Sequence, residues 1–262
     1  MDLGLNGKRA LLAGASAGMG KEAARALARE GATLFISARG EERLLAAARE
    51  IAAETGASVT PVLADHGTAA GRAALLAACP EPDLLVITCS PPRATAGFDD
   101  VDAAEWMRTL EETLVGPIEL MRAVLPGMAA RRFGRVVNIG TGAAKNPHEM
   151  RLLSGPPRAA LANWSVSVAK KLIRDNVTLN AILPGMFDTP GSREMLEARA
   201  AQRGTSFEEE KRHFIDTIGI PAGRFGDPAD VGAFVAMLCG RHGSFVTGQS
   251  IVIDGGLINS VF

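Results

Sequence analysis

Short apolar runs and amphipathic helical patterns alternate along this chain from its first residues. A parallel strand reaches its neighbour only through a long crossover, so this alternation marks an α/β fold: a doubly wound parallel sheet with helices on both faces. "RALLAGA", "ATLFISAR" and "SVTPVLAD" read as the first three strands, with helices "GKEAARALAREG" and "EERLLAAAREIAAETG" between them. "DLLVIT", "GRVVNIG", "NVTLNAI" and "QSIVIDGG" bring the expectation to about seven strands. Ala103 to about Arg131 reads as one long helical region, and Gly155 to Arg174 as the next helix. Residues 1–262 are expected to form a single nucleotide-binding domain. Between Thr189 and Gly223, Leu196, Phe207, Phe214, Ile215 and Ile218 recur at helical spacing in a charged stretch. That stretch reads as a helical substrate flap over the open end of the sheet or as a surface helix pair.

With 47% hydrophobic and 22% charged residues and a net charge of -1, neither a disordered chain nor a nucleic-acid binder is indicated. A small-molecule partner is expected. The beginning of the chain lacks a secretory pattern and no run approaches membrane-spanning length, so no membrane partner and a cytoplasmic location are expected. Cys79, Cys89 and Cys239 are odd in number and lack metal spacing, which points to reduced thiols. No metal is expected, because His66, His148, His213 and His242 form no paired ligand pattern.

Gly14, Gly18 and Gly20 in "LLAGASAGMGKEAARAL" follow a strand and open a helix. Residues without a Cβ let the backbone approach a pyrophosphate, whose charge then meets free N–H groups at the helix N-terminus. At the end of the second strand an acidic residue would accept from the adenosine ribose of NAD. This chain has Ala38 and Arg39 there, with Ser37 before them. The planar fork of Arg39 suits a phosphate, with the Ser37 hydroxyl beside it, so NADP(H) is the expected cofactor. Asp65, closing the third strand, could accept from the adenine amino group or cap the following turn.

These motifs, with "GRVVNIGTG", "NVTLNAILPGMFDTP" and "TGQSIVIDGG", resemble the short-chain dehydrogenase/reductases, and among them the 3-oxoacyl-acyl-carrier-protein reductase-like group. The resemblance runs nearly end to end and implies a Rossmann-type fold. It also implies cofactor contacts at Ser16 and Met19 in the glycine loop, at Cys89 and Ser90 after the fourth strand, at Arg158, and at Pro184, Gly185 and Thr189. The family's catalytic Asn, Ser, Tyr and Lys fall on Thr113, Thr141, Ser154 and Arg158. The spacing is kept: thirteen residues from Thr141 to Ser154, and four more to Arg158. Every identity is changed, and the chain contains no tyrosine. A branch of the family is similar to this chain in carrying Leu-Ser before the helix and Arg in place of Lys.

A tyrosine with its pKa near 10 can be drawn toward neutrality and donate a proton; a serine is a far weaker acid. Arg158 keeps five donors and a fixed charge, and Thr141 keeps a hydroxyl for a carbonyl oxygen. Thr113 is expected to support that network. Ser154 reads either as the N-cap of its helix or as a substrate contact. The proton donor is open between Ser154, His148 in "KNPHEM" and water. Cys89 has no base adjacent in the sequence and reads as a small buried hydrophobe.

The leading expectation is an NADP(H)-dependent reductase passing hydride to a ketone, such as a 3-oxoacyl thioester or another β-dicarbonyl. The alternative is an inactive NADPH-binding sensor or assembly subunit, and a non-redox elimination is a third option. The resemblance implies a dimer or tetramer, with Trp106 and Trp164 either at its interfaces or in the core.

Overall fold

The structure, a computed structural model, describes residues 2–259. Seven parallel strands form one sheet in the order β3-β2-β1-β4-β5-β6-β7. They are β1 Arg9–Ala13, β2 Thr33–Ala38, β3 Val59–Leu63, β4 Leu84–Thr88, β5 Gly134–Ile139, β6 Val177–Pro184 and β7 Ser250–Ile253. The central strands are buried and mostly apolar because both faces are covered, with Arg135, Asn138, Thr178 and Asn180 as buried polar exceptions. Side chains alternate across the pleat. Leu12, Leu34, Ile36, Leu84 and Val86 pack against helices α1 (Gly18–Arg29), α2 (Glu41–Thr55) and α9 (Pro228–Cys239). Leu11, Ala13, Leu85 and Ile87 face α3 (Ala69–Ala78), α5 (Gly116–Ala130) and α6 (Gly155–Leu172) on the other side.

The long helical region after β4 departs from one regular helix. Helix α4 (Ala103–Leu110) runs into a π-helical turn at Glu111–Val115 before α5 begins. Pro117 explains the widening: it has no N–H to give and its ring crowds the carbonyl four residues back, at Thr113. The charged segment after β6 folds as α7 (Pro190–Arg203) and α8 (Phe207–Ile218). They share a small core of their own, Leu196, Phe214, Ile215, Ile220 and Phe225. Among the described residues no helix is long and apolar enough to cross a membrane, and no cluster of three potential metal ligands occurs.

Candidate active site

The strand order reverses between β1 and β4, and a sheet of this kind opens a crevice at the carboxyl ends of those strands. The glycine loop fills the β1 side. Gly14 has φ +81, and a Cβ there would lie 2.2 Å from the Thr88 carbonyl oxygen. A Cβ on Gly20 would lie 2.2 Å from the Gly14 oxygen, so the loop closes as tightly as backbone allows. Ala17, at the N-cap of α1, offers no side-chain acceptor, and the leading N–H groups of that helix are left for a ligand. Ser16, Gly18 and Met19 are partly exposed on this loop. The loop therefore fits a pyrophosphate by the two features such a group needs, close backbone approach and uncapped donors.

Arg39 stands at the end of β2, more than half exposed, and its Nη2 donates to Ser90 Oγ across the crevice at 3.3 Å. Glu112 lies 3.9 Å from its other terminal nitrogen. Ser37 does not stand beside it as expected. Its hydroxyl is fully buried and without a hydrogen-bond partner among the described residues, because the pleat turns this side chain into the core. Ser37 instead holds the glycine loop through its carbonyl, which accepts from Gly14 N–H at 3.0 Å and Ala15 N–H at 2.9 Å. Asp65 takes the capping role, its Oδ1 accepting from Gly67 N–H at 2.9 Å.

Helix α6 opens after Ser154 and carries Arg158. Ser154 occupies its N-cap position yet makes no capping hydrogen bond. The sequence forbids one: an N-cap oxygen accepts from the second or third helical N–H, and those residues are Pro156 and Pro157. The Ser154 oxygen accepts instead from Arg158 Nη1 at 3.3 Å. The same Nη1 donates to the Ser154 carbonyl at 3.2 Å, and Nη2 donates to the carbonyls of Cys89 at 3.3 Å and Ser90 at 3.2 Å. Arg158 thus ties the end of β4 to the start of α6. It is buried, and desolvation pulls it below the ordinary guanidinium value with only Cys89 opposing, yet it stays charged at neutral pH. No carboxylate neutralises it among the described residues.

Thr141 lies in the turn between β5 and α6, its Oγ1 accepting from Ala143 N–H at 3.3 Å. A Cβ on Gly155 would lie 2.6 Å from the Ala143 carbonyl oxygen, so that turn is pressed against the first residue of α6. Pro184, paired with Ile253 at the end of β6, closes the same corner: a Cβ on Gly142 would sit 3.3 Å from the Pro184 oxygen. Gly185 packs on Asp254. Thr189 does not present a free hydroxyl. It caps α7, accepting from Ser192 N–H at 3.2 Å, and its methyl lies over Gly18.

Thr113 does not join the Arg158 network. Its hydroxyl donates to the Thr109 carbonyl at 2.6 Å, the back-bonding a threonine adopts within a helix. It shares with Arg158, Cys89 and Asn138 the wall of a small cavity of about 10 Å³. Cys89 is not without a base in space: His66 Nε2 lies 3.4 Å from its sulfur. Burial pushes the thiol up to about 11 and pulls the imidazole below its ordinary range, which keeps both neutral. Nothing local in the sequence marks His66 as a partner of Cys89, since 23 residues separate them. His148 is exposed, and its Nδ1 accepts from Met150 N–H at 3.1 Å, which leaves a neutral ring's proton on Nε2.

Residues 14–258 match the family model described as enoyl-(acyl carrier protein) reductase. The chain belongs to the short-chain dehydrogenase/reductase family. Its relatives include 2-keto-3-deoxy-L-fuconate dehydrogenase of Xanthomonas campestris, 32% identical over 97% of this chain and 81% of that protein. The 3-oxoacyl-[acyl-carrier-protein] reductase FabG of Aquifex aeolicus is 28% identical over 98% of this chain and 100% of that one. Among solved structures, L-sorbose reductase of Gluconobacter frateurii complexed with NADPH and L-sorbose superposes with a TM-score of 0.94 at 27% identity, both chains covered in full. A short-chain oxidoreductase of Pseudomonas aeruginosa PAO1, described as containing an atypical catalytic center, gives 0.90 at 25% identity, again over both full chains.

Proposed function

We propose that this family member is an NADP(H)-dependent carbonyl reductase in which hydroxyls and a buried cation replace the tyrosine. One observation carries the reading. The Ser154 oxygen accepts from Arg158, and no helix donor competes for it, so its own O–H proton is uncommitted among the described residues. A hydroxyl held this way is a donor aimed at a substrate oxygen, with a fixed positive charge behind it.

The glycine loop would hold the cofactor's pyrophosphate, and Arg39 with Ser90 its adenosine phosphate. When bound, the reduced nicotinamide supplies the hydride that reduces the carbonyl carbon. Thr141 and Ser154 orient the carbonyl by donating to its oxygen. Arg158 stabilises the negative charge that grows there, an effect strongest in a site shielded from water. A serine is too weak an acid to surrender its proton, so the oxygen takes one from solvent. Ketones whose alkoxide is stabilised by an electron-withdrawing neighbour, such as β-dicarbonyl compounds, demand least of this arrangement.

Helices α7 and α8 serve as the substrate flap, with Thr189 anchoring α7 beside Gly18. A second copy covers the free edge of β7, where Phe245 is 97% exposed in the connection leading into that strand. The three free thiols suit a reducing, cytoplasmic setting.

The test is a single-turnover assay of NADPH absorbance against a panel of small diketones and 3-oxoacyl thioesters. Oxidation in the wild type, slowed about 100-fold by Thr141→Ala, is the expected outcome. Cofactor retained unreacted across the panel would instead assign the chain to the redox-inactive nucleotide binders.

A further inference from the structure

The turn before α6 carries a cation that the fold does not use. Several of its backbone groups are tied down. Thr95, buried on the loop after β4, donates through its N–H to the Met150 carbonyl at 3.1 Å and through its hydroxyl to the Glu149 carbonyl. Arg151 N–H donates to the His148 carbonyl, and Ser154 N–H to the Arg151 carbonyl, both at 2.9 Å. The side chains of this turn border a second cavity, of about 280 Å³, walled by Ala143, Pro147, His148, Arg151, Leu152 and Pro156.

Arg151 is only partly exposed, yet among the described residues its guanidinium makes no hydrogen bond and no ion pair. The other desolvated arginines are provided for. Arg135 donates to the Gly134 and Asn176 carbonyls and to Asn176 Oδ1, and Arg158 to four oxygens. Arg151 alone among these three keeps its whole planar fork free among the described residues, and burial lowers its proton affinity. Glu149 borders the same cavity but is exposed. A partly desolvated, unpaired cation is costly, and a carboxylate is the ligand whose geometry its fork matches.

The structure assigns this cavity, we infer, to the carboxylate of a small oxo acid, bound by Arg151 while the carbonyl rests against Thr141 and Ser154. The inference rests on the reductase reading and names its substrate class. The cavity lies at the lower end of small-molecule pockets, which suits a free acid of a few carbons better than the long arm of an acyl carrier. The chain itself joins the two subsites, for Ser154 follows Arg151 by three residues and Ala143 follows Thr141 by two.

The experiment compares 2-oxobutanoate and 3-oxobutanoate with their methyl esters in steady-state NADPH oxidation by the wild type, Arg151→Gln and Arg151→Lys. Arg151→Gln is expected to raise KM for the acids about 10- to 100-fold, with kcat little changed and the esters unaffected; Arg151→Lys recovers part of the loss. A second readout needs no turnover: butanoate added to the NADPH-saturated protein raises the melting temperature of the wild type but not of Arg151→Gln. Acids and esters reduced alike, with Arg151→Gln indifferent between them, would overturn the inference and leave the reductase reading standing. Arg151-dependent butanoate binding without any NADPH oxidation would keep the anion site and overturn the reductase reading. Neither signal would overturn both.

Discussion

Ser154 shows how one side chain's role is decided by its neighbours' missing donors. Capping and substrate contact are both open from the sequence; Pro156 and Pro157 remove the cap, because a capping oxygen has no N–H to accept from when both positions lack one, and the substrate contact is the part proposed above. Ser154→Ala should therefore leave the melting temperature within about 2 °C while lowering kcat about 100-fold, the cost of one donor at a developing oxyanion. His148→Gln should change kcat less than about threefold, since its ring is exposed and its Nδ1 already serves the Met150 N–H. A large loss in His148→Gln would move the proton source from solvent to that imidazole. The roles given to Arg158 and Thr141 are those proposed above; their places, in α6 and in the turn after β5, were legible because their spacing survives. Thr113 was not: a threonine standing where the family has an asparagine satisfies itself on the turn behind it, and only coordinates reveal that choice. The His66–Cys89 and Arg151 environments were hidden for another reason, being made by segments distant in sequence or, for Arg151, by having no partner among the described residues.

At the scale of elements, strand and helix periodicity was enough to give all seven strands, since buried parallel strands read as continuous apolar runs. Periodicity could not show the π-turn at Glu111–Val115, which depends on where Pro117 falls within an otherwise regular helix. The helix pair after β6 is held by a device that sequence reading leaves out altogether. Glu210 is 1% exposed on α8, accepts from Arg199 Nε of α7 at 2.9 Å, and stands 3.5 Å from Arg203 Nε. Both arginines keep solvent access, so the pair costs less than a fully buried one would. Removing the carboxylate leaves the two cations to repel each other over the Phe214 core. Glu210→Ala should cost about 1–3 kcal/mol and open residues 190–218 to limited proteolysis before the sheet unfolds. Cleavage that begins elsewhere would detach this clamp from the stability of the helix pair.

For the whole molecule, the free edge of β7 makes one prediction. If a second copy covers the outer edge of β7, the terminal strand of the sheet, as proposed above, the exposed Phe245 in the connection before that strand is a candidate contact, and a charge there would oppose association. Phe245→Asp should move the protein toward monomer in light scattering while the melting transition of the protomer persists. An unchanged mass would place the interface elsewhere.

Alkaline stability is set by the core instead. Cys239 is 0% exposed at the end of α9, and burial pushes its thiol up to about 12, Arg135 opposing only weakly. Cys79, 1% exposed beneath α3, is pushed up to about 11 by the same cause. In the unfolded chain a thiol ionises near its ordinary value, so between that value and the folded one the native state holds protons that the unfolded state has lost. The sign follows: these groups favour folding fully below about pH 8 and progressively less as pH rises through 9 toward 11 and 12. Each such thiol contributes a slope of up to about 1.4 kcal/mol per pH unit in that window. The melting temperature of the wild type should fall steadily from pH 8.5 to 10.5, with a shallower slope in Cys239→Ala, whose pH 7 stability is lower by the small cavity it leaves. Equal slopes in the two proteins would show that ionisation of Cys239 does not set the alkaline stability of the fold.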